Sequence, residues 1–335
     1  MMNGYRVVCV TPAGRRRYLR LLLPYVLSCA KVDRYDLWVN TPDPADVAFL
    51  EAVAEVDERI HLVKLPPDVP PGPGAIREIW PSLTESDTVY IRFDDDIVWV
   101  DPSFFDTLLS FRLANPQFFT VAPLIINNAM STYLLQTFRR ITISRPVGPD
   151  RFDPIGWVDP TLAQSLHGFV QELINTNETA RLCVGQVPVS GNCFSINCIS
   201  WFGADVAAVC GRIPIGEDEE AAASCTFALR AGRLNCFETA AIASHFAFYT
   251  QREAMDRSPI LEGYLQIAAR RSEIQPWRGR VETIYKEIEE RHPIHLSLGG
   301  FKPLSRRKKP WIRRILSSRQ KNELPTVTVE RGPGF

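Results

Sequence analysis

The order in which strand-forming and helix-forming segments alternate near the start of the chain limits its fold more than any other feature. Residues 5–10 read as a strand, 16–30 as a Leu-rich helix, 35–40 as a strand, 43–56 as a helix and 60–65 as a strand. This β-α-β-α-β order predicts an α/β fold, Rossmann-like, with a mixed, mainly parallel sheet flanked by helices. The chain has 335 residues, 45% hydrophobic and 23% charged, enough to bury a sizeable core, so disorder of the whole chain is excluded. Residues 66–74, Pro-Pro-Asp-Val-Pro-Pro-Gly-Pro-Gly, cannot form regular structure, because proline removes donors and fixes φ. A loop at this place lies beyond the carboxyl ends of the strands, where open parallel sheets bind ligands, although a surface linker explains it equally well. A short helix over 75–83 carries Arg77.

The β-rich run Thr-Val-Tyr-Ile-Arg-Phe (88–93) ends abruptly in Asp94-Asp95-Asp96. Three adjacent carboxylates repel one another unless something positive binds among them. If extended geometry persists, Asp94 and Asp96 point to one side and Asp95 to the other. Paired carboxylate oxygens suit a hard cation, Mn²⁺ or Mg²⁺, that shares its shell with phosphate oxygens. An EF-hand loop is excluded, because it spaces its acids and needs a central Gly and a terminal Glu. An exposed acidic turn is the plainer alternative. Further on, 102–115 reads as a helix and 118–126 as a buried strand, and helices over 131–137 and 160–176 surround a Pro/Gly/Asp-rich segment, 145–160. An apolar helix is predicted over 199–209, another from Glu217-Asp218-Glu219-Glu220 through Arg230, then a strand near 235–243, followed by His245.

The segment Tyr90-Ile91-Arg92-Phe93-Asp94-Asp95-Asp96-Ile97-Val98 resembles the strand and DxD motif of GT-A glycosyltransferases, and the order of elements follows that family over roughly residues 5–252. Gly216-Glu217-Asp218-Glu219 is similar to the xED element that many inverting members carry at a helix start. His245 is similar to a C-terminal histidine that contacts metal or diphosphate in many members. The resemblance implies Mn²⁺ or Mg²⁺ held by Asp96, Asp94 and His245, with Asp218 as general base, or Glu217 or Glu219 if the motif slips by one. It further implies that Thr11, Arg15, Arg77, Asp94, Asp95 and Arg252 meet the nucleotide sugar, and that Ser190, Gly191 and Asn192 form an acceptor-side loop. Structural roles compete at each place: helix capping for Asp218, a core histidine for His245, a tight turn for 190–192. The activity so implied is transfer of a sugar from a nucleotide-diphosphate donor, expected to be UDP-linked, to a hydroxyl of a glycan, lipid-linked or protein acceptor, with inversion. Two other classes stay open, a nucleotidyltransferase acting on a sugar phosphate and a non-catalytic binding or scaffold protein. Thr11-Pro12-Ala13-Gly14-Arg15-Arg16-Arg17 only loosely resembles the Gly-rich phosphate loop that a nucleotidyltransferase would carry.

The formal net charge is zero, but residues 302–321 carry nine Lys/Arg and no acid, and residues 322–335 sum to −1, which leaves residues 1–301 at −8. A catalytic domain over 1–300 and a basic tail over 301–335 are therefore expected. Trp311, Ile312, Ile315 and Leu316 would give the tail one apolar side if helical, suited to an anionic membrane surface, although a solvated tail is the simpler reading. The acidic body makes nucleic acid an improbable partner. The eight cysteines show no CxxC or zinc spacing and read as free thiols of a reducing compartment. With no stretch approaching a membrane span, the expected location is cytoplasmic, with peripheral contact at the inner membrane face through the tail.

Overall fold

Successive residues of the central strands point to opposite faces of one sheet, and both faces are apolar. The computed structural model describes residues 1–294 and 327–333. The elements run β1 (Arg6–Ala13), α1 (Arg16–Ser28), β2 (Arg34–Val39), α2 (Pro44–Ala54), β3 (Ile60–Lys64), β4 (Thr88–Phe93), β5 (Ile97–Val100), α3 (Phe104–Ala114), β6 (Thr120–Ile126), α4 (Ala129–Thr137) and β7 (Ile141–Ile143). They continue with α5 (Pro160–Thr176), β8 (Gln186–Val189), β9 (Cys198–Phe202), α6 (Gly203–Ala208), α7 (Glu219–Ala221), a π-turn over Ala222–Thr226, α8 (Phe227–Arg230), β10 (Asn235–His245), α9 (Arg252–Asp256), α10 (Ile260–Arg270), α11 (Gln275–Arg291) and β11 (Val329–Arg331).

The main sheet has the order β3-β2-β1-β4-β9-β6-β10-β5, with β8 also paired to β10. β1, β2, β3, β4, β6 and β10 run one way, and β5, β8 and β9 run against them. The mixed, mainly parallel α/β sheet expected from the sequence is thus present. Val7 and Cys9 of β1 and Val89, Ile91 and Phe93 of β4 join Leu19, Leu22 and Val26 of α1 in one core. Val8, Val10 and Tyr90 face the second core, where Trp80 and Trp201 stack with centroids 4.7 Å apart. α11 returns to pack on α1 and α2, and the Arg20 guanidinium lies 4.0 Å from the Tyr285 ring.

Three local expectations are corrected. Residues 199–209 are not one helix: β9 inserts between β4 and β6, antiparallel to both, and only then does the chain turn into α6. A short unbroken apolar run does not distinguish strand from helix, and here Ile199, Trp201 and Phe202 take the strand that the sheet leaves open. Residues 75–83 form two short 3-10 turns, Ala75–Glu78 and Trp80–Ser82, instead of a helix. β1 continues three residues past the predicted end, to Ala13. β11 pairs antiparallel with β7, so the end of the chain docks on the body. The amphipathic basic segment 302–321 lies outside the described residues. Among the described residues no helix is long and apolar enough to cross a membrane, and all eight cysteines are free.

Two glycines test the packing in opposite senses. A Cβ on Gly203, where β9 turns into α6, would run into the Glu85 carbonyl and come within 2.9 Å of the Tyr90 ring. Gly168, exposed in the middle of α5, has open space at that position. Gly203→Ala is expected to lose about 2 kcal/mol or more through overpacking, and Gly168→Ala to gain about 0.5–1 kcal/mol through helix propensity, both read by urea denaturation. A neutral Gly203→Ala would contradict the tight turn.

Candidate metal and nucleotide site

Asp94, Asp95 and Asp96 occupy a turn between β4 and β5, with the Ile97 N–H donating to the Asp94 carbonyl at 3.2 Å. Asp94 and Asp96 do converge, but through this turn and not through the pleat of an extended strand. β5 then pairs with the end of β10, opposing Ile97 to His245, and the Phe246 N–H donates to the Asp96 carbonyl at 2.8 Å. That pairing brings a residue from far along the chain against the aspartates: ligand atoms of Asp94, Asp96 and His245 lie within 4.8 Å of one another.

Each aspartate is held differently. Asp94 lies 2.8 Å from Arg92 Nη1 and accepts from Asn197 Nδ2 at 2.9 Å. Asp95, only 4% exposed, accepts from the Gly14 N–H at 2.9 Å and from Arg15 Nε at 2.7 Å. Asp96, 1% exposed, receives Arg15 Nη1 at 2.7 Å and Arg252 Nη2 at 3.1 Å on Oδ2. Burial opposes its charge, but Arg15, His245 and Arg252 outweigh that and hold its carboxyl well below the usual carboxylate range. Its Oδ1 is buried without a hydrogen bond and faces His245 Nε2 at 3.4 Å.

The imidazole is aimed from behind. His245 Nδ1 lies 3.3 Å from the Asn127 carbonyl, which can only accept, so Nδ1 carries the proton and Nε2 is the atom presented to the aspartates. Asn127 adopts φ +62° and donates its Nδ2 to the Phe246 carbonyl at 3.1 Å, which ties it to the same loop. Burial lowers the basicity of His245, and Asp96 more than restores it. Two carboxylates and one imidazole, one carboxylate oxygen being buried without a hydrogen bond, fit a divalent cation such as Mn²⁺.

The triad opens into a cavity of about 500 Å³ lined by strand-end residues Pro12, Gly14, Arg15 and Asn40, by Gly72 and Pro73 of the Pro/Gly loop, and by the helix-start acids Asp218, Glu219 and Glu220. Asp218 caps α7 by accepting from the Ala221 N–H at 3.0 Å and is gripped by Arg151, with Nη2 at 2.8 Å. Glu219 is tied to Arg92 Nε and Trp80 Nε1, each at 3.0 Å. Glu220 lies 3.3 Å from Arg151 Nη1. Burial, against the pull of Arg151 and with help from Asp94, pushes its carboxyl up to about 7.

Other expected residues stand elsewhere. Thr11 is fully buried in β1, its hydroxyl 2.9 Å from that of Tyr35, so the longer strand removes it from the cavity. Arg77 donates to the carbonyls of Ile213 and Pro214, both at 3.3 Å, and ties the Pro/Gly loop to the segment before Asp218. Glu217 accepts from Thr226 Oγ1 at 2.6 Å, outside the cavity lining. Ser190, Gly191 and Asn192 do not line the cavity either, although Ile196 and Asn197 from the same loop do. Arg92, Arg151, Asn127, Asn197 and Glu220 went unnoticed in the sequence. Arg92 alone carried a signal: it is the one charge in a buried strand, two residues before Asp94 and hence on its side.

Arg15 occupies part of the space in which a cation would neutralise Asp96. Removing one partner of a buried ion pair is strongly destabilising, so Arg15→Ala is expected to lose about 3 kcal/mol in chelator. Mn²⁺ should then restore more stability to the variant than it adds to the wild type, because the guanidinium no longer competes for Asp96. Equal increments in urea denaturation with and without Mn²⁺ would contradict that competition.

No protein-family profile and no curated protein matches the chain. Among solved structures it is similar to a mannosyltransferase from Pyrobaculum calidifontis in complex with GDP-mannose and Mn²⁺, at 12% identity over 97% of this chain and 78% of that one, with TM-score 0.48. It is similar to glucosyl-3-phosphoglycerate synthase from Mycobacterium tuberculosis in complex with Mn²⁺, UDP-glucose and phosphoglyceric acid, at 15% identity over 79% and 80% of the two chains, with TM-score 0.44. A CMP-2-keto-3-deoxy-manno-octonic acid synthetase complexed with CTP is similar at 11% identity over 78% and 99%, with TM-score 0.41. These likenesses are distant, and they take in a nucleotidyltransferase as well as glycosyltransferases.

Proposed function

We propose that this chain is a metal-dependent glycosyltransferase that moves a sugar from a nucleotide-diphosphate donor to an acceptor hydroxyl. The observation that carries this reading is the convergence of Asp94, Asp96 and His245 in one cavity with the helix-start acids Asp218 and Glu220. The nucleotide lies along the strand ends at Pro12, Gly14 and Asn40, as ligands do in open α/β sheets. Asp94, Asp96 and His245 hold Mn²⁺ or Mg²⁺, which when bound offsets the negative charge of the departing diphosphate. Arg252, at the rim beside Asp96, adds a guanidinium to the same end of the cavity, and Arg15 moves off Asp96 toward the diphosphate.

The acceptor hydroxyl must lose its proton as it attacks. Asp218, the residue that the resemblance puts in this role, has its carboxylate engaged by Arg151 and by the Ala221 N–H. Glu220, at about 7, is matched to take a proton near neutral pH, with Asp218 and Arg151 fixing its place. A base acting on the acceptor, with no covalent sugar–enzyme bond, gives inversion. Nucleotidyl transfer is disfavoured because the loop after β1 only loosely resembles a Gly-rich phosphate loop and its Gly14 N–H is turned onto Asp95.

A panel of UDP- and GDP-sugars assayed for released nucleotide is expected to show Mn²⁺-dependent turnover, abolished in Asp96→Asn with the protein still folded. Glu220→Gln should lower kcat by about 100-fold, the usual scale for a general base. In the wild type kcat/KM should rise as pH passes upward through about 7, where Glu220 loses its proton, and this rise should be missing in Glu220→Gln. Turnover of a sugar 1-phosphate with a nucleoside triphosphate, and of no nucleotide sugar, would replace the proposal with the nucleotidyltransferase reading.

A further inference from the structure

The cavity has an aromatic wall that the chemistry above does not use. Phe152 meets Trp157 edge to face at 5.2 Å, and Trp157 meets Tyr249 edge to face at 5.1 Å. Phe248 packs against the His245 ring at 4.6 Å. All four rings line the cavity, and Tyr249 is 44% exposed. The wall spans the interval between the two halves of the site: at one end it touches His245, and at the other the Arg151 guanidinium lies 4.4 Å from the Phe152 ring while it grips Asp218. A group lying on it would sit between the triad and the acids at the helix start. That is the place of the incoming hydroxyl and not of the nucleotide, whose contacts come from the strand ends.

Charge restricts what can lie there. The lining contains Asp94, Asp95, Asp96, Asp218, Glu219 and Glu220 against Arg15, Arg92 and Arg252, and with Arg151, which pairs with Asp218 and Glu220 from just outside the lining, the acidic excess is at most two charges. Every one of those guanidiniums is already in an ion pair with a lining carboxylate. A divalent cation and the donor diphosphate roughly cancel each other, which leaves the excess in place. An acceptor bearing phosphate or carboxylate would meet that excess at the helix-start end of the cavity, where the guanidiniums of Arg92 and Arg151 stay paired with Glu219, Asp218 and Glu220. Pyranose rings offer the opposite chemistry: an apolar C–H face that stacks on aromatic rings, and hydroxyls that donate to carboxylates.

We infer that the acceptor is a neutral saccharide, its ring stacked on the exposed Tyr249, which the buried Trp157 supports edge to face, and its attacking hydroxyl turned toward Asp218 and Glu220. This rests on the glycosyltransferase reading and narrows its acceptor from glycan, lipid-linked or protein to the carbohydrate class.

The test is binding by saturation-transfer NMR to the full-length protein loaded with Mn²⁺ and UDP or GDP. The probes are methyl glycosides of glucose, galactose and mannose and their disaccharides, against 3-phosphoglycerate and a short polyprenyl phosphate. Saccharide binding through ring C–H protons is expected, with neither anion competing. Tyr249→Ala should weaken it about fivefold, the scale of one aromatic contact, and Tyr249→Phe less than twofold. Phe152→Ala, on the same wall, guards against a folding artefact at one position. Preference for either anion, no binding of any saccharide in the panel, or unchanged affinity in both alanine variants would overturn the inference and leave the transferase reading intact. Failure of both nucleotides to bind with Mn²⁺ would overturn the transferase reading and this inference with it.

Discussion

Asp95 and Asp96 are almost sealed from water at the end of a buried strand, and Arg15 reaches across from the loop after β1 to pair with both of them. The consequences of that contact spread outward. The Gly14 N–H is drawn onto Asp95, and Gly14 itself must lack a side chain, since a Cβ would stand 2.8 Å from the Asn40 carbonyl. The ends of β1, β2 and β4 are thereby clasped at one point. The same point receives the end of β10 through its pairing with β5, which sets His245 and, through Phe246, the backbone of Asp96. Asp95 is bound by Gly14 and Arg15, and Asp94 and Asp96 are the pair that converge with His245.

Arginine is a poor permanent partner for a metal ligand, and the arrangement makes sense as one of exchange. Asp96 is paired on one oxygen with Arg15 and Arg252, and its other oxygen faces His245 Nε2 at 3.4 Å. If the triad holds a cation as proposed, the ion would offset the charge that those arginines now hold and would leave them free to turn toward a diphosphate. Binding of metal and of donor would then be coupled through the same side chains, with no larger movement of the fold required. Arg92 plays a fixed part by comparison: it is buried, locked between Asp94 and Glu219, and joins the triad to the acidic helix start.

Much of this was legible in the sequence where the signal is local. The strand Thr88–Phe93 and the helix Pro160–Thr176 fall where the pattern puts them, because a run of β-forming residues, a proline at the first turn and a capping aspartate are properties of neighbouring residues. Asp94, Asp96 and His245 stand out as candidate metal ligands by residue type and order, and the fold brings them together. What escaped was whatever depends on pairing between distant segments. The run 199–209 became strand and then helix because β4 and β6 left a gap between them, and nothing within those residues says so. Thr11 turned inward because β1 is longer than its β-branched core suggests. Arg151, which pairs with both Asp218 and Glu220, lies in a segment with no periodicity to read. The carboxylates of 217–220 look alike in sequence and take four different environments in the fold.

The central claim is that Asp94, Asp96 and His245 hold one cation and present it to a nucleotide diphosphate. Electron–nuclear double resonance of the protein with Mn²⁺ and UDP tests this directly. One histidine nitrogen coupling, lost in His245→Ala, is expected together with phosphorus couplings from the diphosphate in the same complex. A Mn²⁺ spectrum without a nitrogen coupling, or one in which the diphosphate phosphorus is absent while UDP is bound, would contradict it.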